Sequence, residues 1–282
     1  MRSRVRRLAV VSVACVVLVA TRCAHPPTPQ SPVHLRLFGS TSMEPLLREL
    51  AAAYAQRYDH VTFAFAAVGS AGGIEALRRG GADLALVSRL LQPEEEYDPA
   101  SGSRTLAYTV IAQDGIAVVV NESNPVRELT RYAVRNLFGG QTLSWDEVGG
   151  PVQEVTVVSR EDGSGTRAAF EATVMSGQRV TPTAVVMPSS EAVRDYVAAH
   201  VWAIGYLSMG CLGPGVAALT VDGVPPDQQS VERGTYGITR PFLLVSLDEP
   251  AVDISSFMQW ARCPAAQAIV RIRYGGASSA SR

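Results

Sequence analysis

Two hydrophobic rhythms alternate along this chain: short apolar or alternating runs, and longer stretches with apolar residues every three to four positions. Residues 33–38 alternate as a strand, and residues 39–42 turn. Residues 43–58 then set Leu46, Leu47, Leu50, Ala53 and Tyr54 on one helical face, with Pro45 near the start, where its missing N–H costs little. A strand over 61–65, a turn at Gly69-Ser-Ala-Gly-Gly73, a helix over 74–79 and a strand over 83–87 repeat the theme. Further on, 115–120 reads as a buried strand, 130–138 as a helix stopped by Gly139-Gly140, and 155–158 and 168–172 as a strand and a helix. A helix over 191–199 behind Ser189 and Ser190, strands at 203–207, 217–221 and 242–246, and helices at 254–262 and 265–273, broken at Pro264, complete the body. Strands alternating with amphipathic helices, without repeats, predict an α/β fold.

The chemistry gathers where strands end. Three early strands run into hydroxyl-bearing turns: Thr41 and Ser42, Ser70, and Ser88 followed by Arg89. In open α/β sheets such turns converge on one rim, beyond the carboxyl ends of the strands. The fullest segment is Ser159-Arg-Glu-Asp-Gly-Ser-Gly-Thr-Arg-Ala-Ala-Phe170, which passes from a strand into a helix. A helix start offers unpaired N–H groups and a positive dipole end. Gly165 allows close approach, Ser164 and Thr166 donate from hydroxyls, and Arg160 and Arg167 donate in a fork. By itself this segment reads equally as a capped turn with surface arginines. Together with the other turns it outlines a site built to wrap a small oxyanion. Asp114 has two readings there. It accepts the proton of a protonated anion, favouring phosphate over sulfate, or it caps a hinge turn or orients an arginine.

Composition narrows the function. The chain has 282 residues, 47% of them hydrophobic, enough for one bilobed domain or two small ones. All 25 basic residues are arginine, which excludes Walker-loop and Schiff-base chemistry. Residues 1–23 hold five arginines and no acid, so the remainder carries 20 basic and 26 acidic residues, a charge of −6 that does not suggest a nucleic-acid surface. The residues two before Ser42, Ser70 and Ser164 are Ser40, Val68 and Asp162, so no nucleophile elbow occurs. No His-x-x-x-His or Cys-x-x-Cys spacing is present. A binding protein without cofactor or metal is expected, not an enzyme.

The start of the chain reads as an export signal: a cluster of arginines to Arg7, an apolar core over 8–20 too short for a comfortable span, and Cys23 after small residues. Cys23 and the proline-rich tether that follows it to residue 32 resemble a bacterial lipoprotein start, although Arg22 stands where a small residue is expected. Lipidation of Cys23 and ordinary signal cleavage are the two alternatives. Cys211 and Cys263 lie beyond the signal and remain for an oxidising compartment, paired or free.

Five segments in order then resemble one family, the phosphate-binding proteins of bacterial phosphate-specific ABC transporters. They are Gly39-Ser-Thr-Ser-Met-Glu-Pro-Leu46, Gly69-Ser-Ala-Gly-Gly-Ile74, Ala82-Asp-Leu-Ala-Leu-Val-Ser-Arg89, Ala112-Gln-Asp-Gly-Ile-Ala-Val118 and Val158-Ser-Arg-Glu-Asp-Gly-Ser-Gly-Thr-Arg167. The resemblance implies a two-lobed type II periplasmic-binding-protein fold with a hinge and a central cleft. It implies lobe one over 33–115 plus 240–274 and lobe two over 116–239, while the small-residue tail from 275 reads by itself as disordered. It implies inorganic phosphate as ligand, held by the hydroxyl turns and the arginine loop. It also implies ABC permease subunits as partners, a monomer, and a periplasmic or membrane-anchored place in a bacterium, held to the membrane by the lipid alone. A receptor for another oxyanion and an anchored phosphate sensor are the alternatives. Ser88-Arg89 departs from relatives that carry an aspartate at this turn, which leaves Asp114 to take the proton or Arg89 to relax selectivity.

Overall fold

The protein is described by a computed structural model over residues 31–97, 103 and 105–277. The proposed signal over 1–23, most of the tether and the tail beyond 277 lie outside the described residues. From Pro32 onward the chain packs as one unit.

In chain order the elements are β1 (Val33–Gly39), α1 (Glu44–Arg57), β2 (Val61–Ala67), α2 (Gly69–Arg78), β3 (Leu84–Val87), α3 (Pro93–Glu96) and β4 (Leu106–Asn121). There follow β5 (Glu128–Leu129), α4 (Arg131–Gly139), β6 (Thr156–Arg160), α5 (Gly165–Thr173), β7 (Val185–Met187), α6 (Ser190–Ala199) and β8 (Ala203–Ser208). Last come β9 (Val216–Ala218), β10 (Thr220–Val221), α7 (Gln228–Glu232), β11 (Thr239–Leu247), α8 (Val252–Trp260), α9 (Pro264–Val270) and β12 (Gly275–Gly276). Short 3-10 turns sit at Thr41–Met43, Trp145–Val148 and Met209–Cys211.

The sheet runs β2-β1-β3-β11-β4-β8-β6-β7. Strands β2, β1 and β3 are parallel, and β11 joins them antiparallel. The long strand β4 links the two halves. Its first part pairs with β11 over 106–115, and its second with β8 over 116–120 and with β9 over 119–121. On the far side β6 is parallel to both β8 and β7. This is the α/β fold the alternation predicts, with two parallel sheet halves joined by long shared strands.

Burial explains the patterns. β1 buries Leu35 and Leu37 on one face, and β3, between β1 and β11 and packed against α2, is buried along its whole length. α1 turns Leu46, Leu47, Leu50 and Tyr54 inward, where Tyr54 meets Phe257 and Trp260 edge-on. In the second half Phe170 of α5 stacks on Tyr206 of β8 at 4.1 Å, and Phe138 of α4 closes the same cluster.

Several expectations need correction. The glycine-rich run at 69–73 is not a turn but the first turns of α2. A Cβ on Gly73 would lie 2.5 Å from the Phe38 carbonyl oxygen, so glycine serves close helix–strand approach there rather than chain reversal. Asp114 does not precede a strand but lies inside β4, which begins at Leu106. The run at 217–221 divides into β9 and β10, which pair with different partners. Gly275 and Gly276, assigned to the tail, pair with Gln113 and Ala112 of β4. Cys211 and Cys263 are both free.

Candidate functional site

Most polar residues of the cluster come from a strand end or a helix start, as the βα rhythm requires, while Asp114 comes from inside β4. After β1 the chain tightens into the turn carrying Thr41 and Ser42. Ser70 is the second residue of α2, and Ser88 directly follows β3. Arg160 is the last residue of β6, and Tyr206 fixes that point by accepting from its backbone N–H at 3.3 Å. Burial pushes the Tyr206 phenol up to about 12, so it stays a neutral anchor, 2.8 Å from the Ser159 hydroxyl. Ser164 caps α5 by accepting from the Arg167 N–H at 3.3 Å, which brings Gly165 and Thr166 to the start of the helix.

These groups meet across the two halves. Ser42 Oγ lies 2.9 Å from Thr166 Oγ1, and Arg160 Nη2 donates to Thr41 Oγ1 at 3.0 Å. Ser40 donates to Ser88 at 2.8 Å, and Ser70 Oγ accepts from the Ser88 N–H at 3.2 Å. Gly165 sits against this group so closely that a Cβ would fall 2.3 Å from Ser70 Oγ and 2.4 Å from Ser88 Oγ. Ser42, Ser70, Ser88, Arg160, Ser164 and Thr166 are all buried. A buried concentration of hydroxyls, with a guanidinium and a helix N-terminus, offers donors to an anion and few apolar surfaces to anything else.

Arg160 is held from behind by its neighbour Glu161. Its Nε donates to Glu161 Oε2 at 3.0 Å and its Nη2 to Oε1 at 2.9 Å, while the Met187 and Pro188 carbonyls accept further bonds. The fork is thereby fixed before any ligand arrives.

A model of the PBP superfamily domain matches residues 26–263. The chain belongs to the PBP superfamily. Two solved structures place it more finely. One is described as a phosphate ABC transporter substrate-binding protein from Clostridium perfringens with bound phosphate. It is 31% identical with a TM-score of 0.81, over 87% of this chain and 100% of that one. The other, an ABC-type phosphate transport receptor from Vibrio cholerae, is 33% identical with a TM-score of 0.70, over 84% of this chain and 96% of that one. The phosphate-binding protein PstS of Bacillus subtilis is 29% identical over 205 residues, 72% of this chain and 67% of that protein. The chain is thus a member of the family of phosphate ABC transporter substrate-binding proteins, with the type II fold.

Around this cluster the structure separates the candidate residues. Thr41, Ser42, Ser70, Ser88, Arg160, Gly165 and Thr166 come together, and Ser164, directly before Gly165, is buried with its hydroxyl capping α5. Arg89 does not: its fork closes on Glu95 at 2.6 Å from each amino group, a carboxylate six residues away. Arg167 also turns aside, donating to Glu171 and to the Arg160 carbonyl and lying 3.1 Å from Asp162. In both cases a local carboxylate outcompetes the cleft. Asp114 is buried beside the cluster, but its Oδ1 accepts from Ser208 at 2.8 Å and its Oδ2 from Arg240 Nε at 2.9 Å. Of its two readings, the orientation of an arginine is the geometry seen. Burial pushes the Asp114 carboxyl above the usual carboxylate range, while Arg240 and Ser208 pull it back.

Arg240 is the residue the sequence analysis missed. Its strand was expected from 242, whereas β11 begins at Thr239 and carries Arg240 into the same buried space. Its Nη1 donates to Thr166 Oγ1 at 2.6 Å and to Ser88 Oγ at 3.1 Å. The available signal was an arginine at the mouth of a largely apolar strand, where an unpaired charge is not tolerated. Among the described residues no group of three or more His, Cys, Asp or Glu suits a metal ion, and no helix is long and apolar enough to cross a membrane.

Proposed function

We propose that this protein binds inorganic phosphate outside the cytoplasm and delivers it to an ABC permease for import. The observation that carries the reading is the buried hydroxyl cluster, drawn from both halves of the fold and bridged by Arg160 reaching Thr41. A tetrahedral oxyanion presents acceptors in every direction, and this cluster presents donors from several. Hydrogen bonds to a charged group contribute roughly 1.5–3 kcal/mol each, and micromolar affinity needs about −8 kcal/mol in all. A handful of such bonds suffices after association costs. The phosphate named for the Clostridium perfringens relative supports the same ligand here.

In this reading the protein is a carrier, not an enzyme, and acts as a monomer without nucleic-acid contacts. Residues 1–23 direct export, Cys23 carries the lipid anchor, residues 24–32 form the tether, and the protein is periplasmic or membrane-attached. The halves divide near 115/116 and 239/240, where β4 changes partner and β11 begins, and rotate about these crossings to trap and release the anion. Titration calorimetry on the purified protein with phosphate and sulfate tests the binding. Phosphate heats that saturate at one site per chain are expected, and no phosphate heat overturns the reading.

A further inference from the structure

Two guanidiniums reach the hydroxyl cluster, and each has its own carboxylate. Arg160 of β6 rests on Glu161, and Arg240 of β11 rests on Asp114. The two arms come from opposite halves and cross. Arg160 reaches Thr41 beyond β1, while Arg240 reaches Thr166 at the start of α5. Arg240 is 2% exposed and Asp114 is fully buried, so neither is a surface ion pair of convenience. The Nη2 of Arg240 lies 2.8 Å from Asp114 Oδ2 but off the line of its N–H bonds, and it has no aligned acceptor. A buried guanidinium with unspent donors is costly to leave so. An oxyanion among Ser88, Thr166 and Arg240 supplies the missing acceptor.

Asp114 is committed elsewhere. Its Oδ1 faces Ser208 and its Oδ2 faces the guanidinium. The other carboxylate at the cluster, Glu161, is held through both oxygens by Arg160. Both carboxylates therefore already face an arginine, and the bonds of their oxygens run to that arginine and, for Asp114, to Ser208 rather than to the hydroxyls of the cluster.

We propose that Arg240 is a second anion-binding arginine, that Asp114 is its positioning residue, and that the phosphate-to-sulfate preference does not rest on Asp114 accepting a ligand proton. The inference rests on the oxyanion reading above and adds to it how that oxyanion is selected. The two crossed forks and the start of α5 supply donors, and the hydroxyl oxygens of Ser88 and Thr166, each with lone pairs, remain as acceptors for a ligand proton. Asp114 acts through Arg240, by fixing the fork so that Nη1 points at Ser88 and Thr166.

The test is calorimetry of phosphate and of sulfate with the parent protein and with Arg240→Gln, Arg240→Lys and Asp114→Asn, each checked for folding by circular dichroism. Arg240→Gln is expected to weaken phosphate at least tenfold. Arg240→Lys restores charge but not the fork, and recovers only part of that loss. Asp114→Asn is expected to weaken phosphate and sulfate by the same factor, leaving their ratio unchanged. Should Arg240→Gln fail to fold, Arg240→Lys and Asp114→Asn carry the test. Phosphate affinity within twofold of the parent in a folded Arg240 variant overturns the inference alone. So does a tenfold shift of the ratio toward sulfate in Asp114→Asn, the signature of a proton acceptor. A parent that binds no phosphate overturns this inference and the function together.

Discussion

Arg160 donates to Thr41 across 119 residues of sequence, from the end of β6 to the turn after β1. The bond joins the two halves of the fold at the point where the hydroxyls converge. Replacing Arg160 with Ala removes the fork and frees Glu161, leaving an unbalanced carboxylate beside an anion. Phosphate affinity is expected to fall about a hundredfold or more, from roughly 3 kcal/mol of lost charge-assisted hydrogen bonding. The Met187 and Pro188 carbonyls lose a donor, so the unfolding midpoint drops by a few degrees while the fold persists. Calorimetry and thermal unfolding read the two effects separately.

Gly165 answers a different question. Alanine is the better helix former, so α5 itself gains from Gly165→Ala. Its Cβ, however, falls on the Ser70 and Ser88 hydroxyls of the other half. Phosphate affinity should drop on the order of tenfold or more, from a clash typical of overpacking. An affinity equal to the parent's would show that the halves do not close this tightly.

Ser164 caps α5 directly before Gly165. Ser164→Ala loses the bond to the Arg167 N–H and should cost about 1 kcal/mol of stability. Ser164→Asp restores a capping acceptor but places a negative charge at the anion site. It should therefore recover stability in urea unfolding while binding less phosphate than the alanine variant.

Acid sensitivity has a local source. Arg36 donates to Asp83 from Nε, Nη2 and its backbone N–H, and the guanidinium holds this carboxyl below the usual carboxylate range. A depressed folded value means the stabilisation is fully present above the unfolded value of about 3.9 and is lost as pH falls through the lower folded one. Urea midpoints measured from pH 5 down to pH 2.5 should converge for the parent and Asp83→Asn, with the parent more stable at the upper end.

Local order was legible in the sequence because it depends on neighbours along the chain. The inward face of α1, the Ser189 cap of α6 and the arrest of α4 before Gly140 all follow from periodicity and capping chemistry. So do the hydroxyls near the strand ends, although the run carrying Ser70 is the start of α2 and not a turn. Arg89 and Arg167 show the limit of this reasoning. An arginine beside a candidate turn has several partners in reach, and Glu95 and Glu171 took them.

The sequence by itself determined an α/β chain whose strand ends carry hydroxyls, and it carried a family resemblance strong enough to name a ligand class. Only the tertiary structure decided which charges enter the cluster. Arg240 lies 74 residues from Thr166 and 126 from Asp114, and no local pattern links them. Buried charges are tolerated only when paired, and pairing is a property of distance in space. The folding of β11 against β4 therefore set Asp114 to face an arginine.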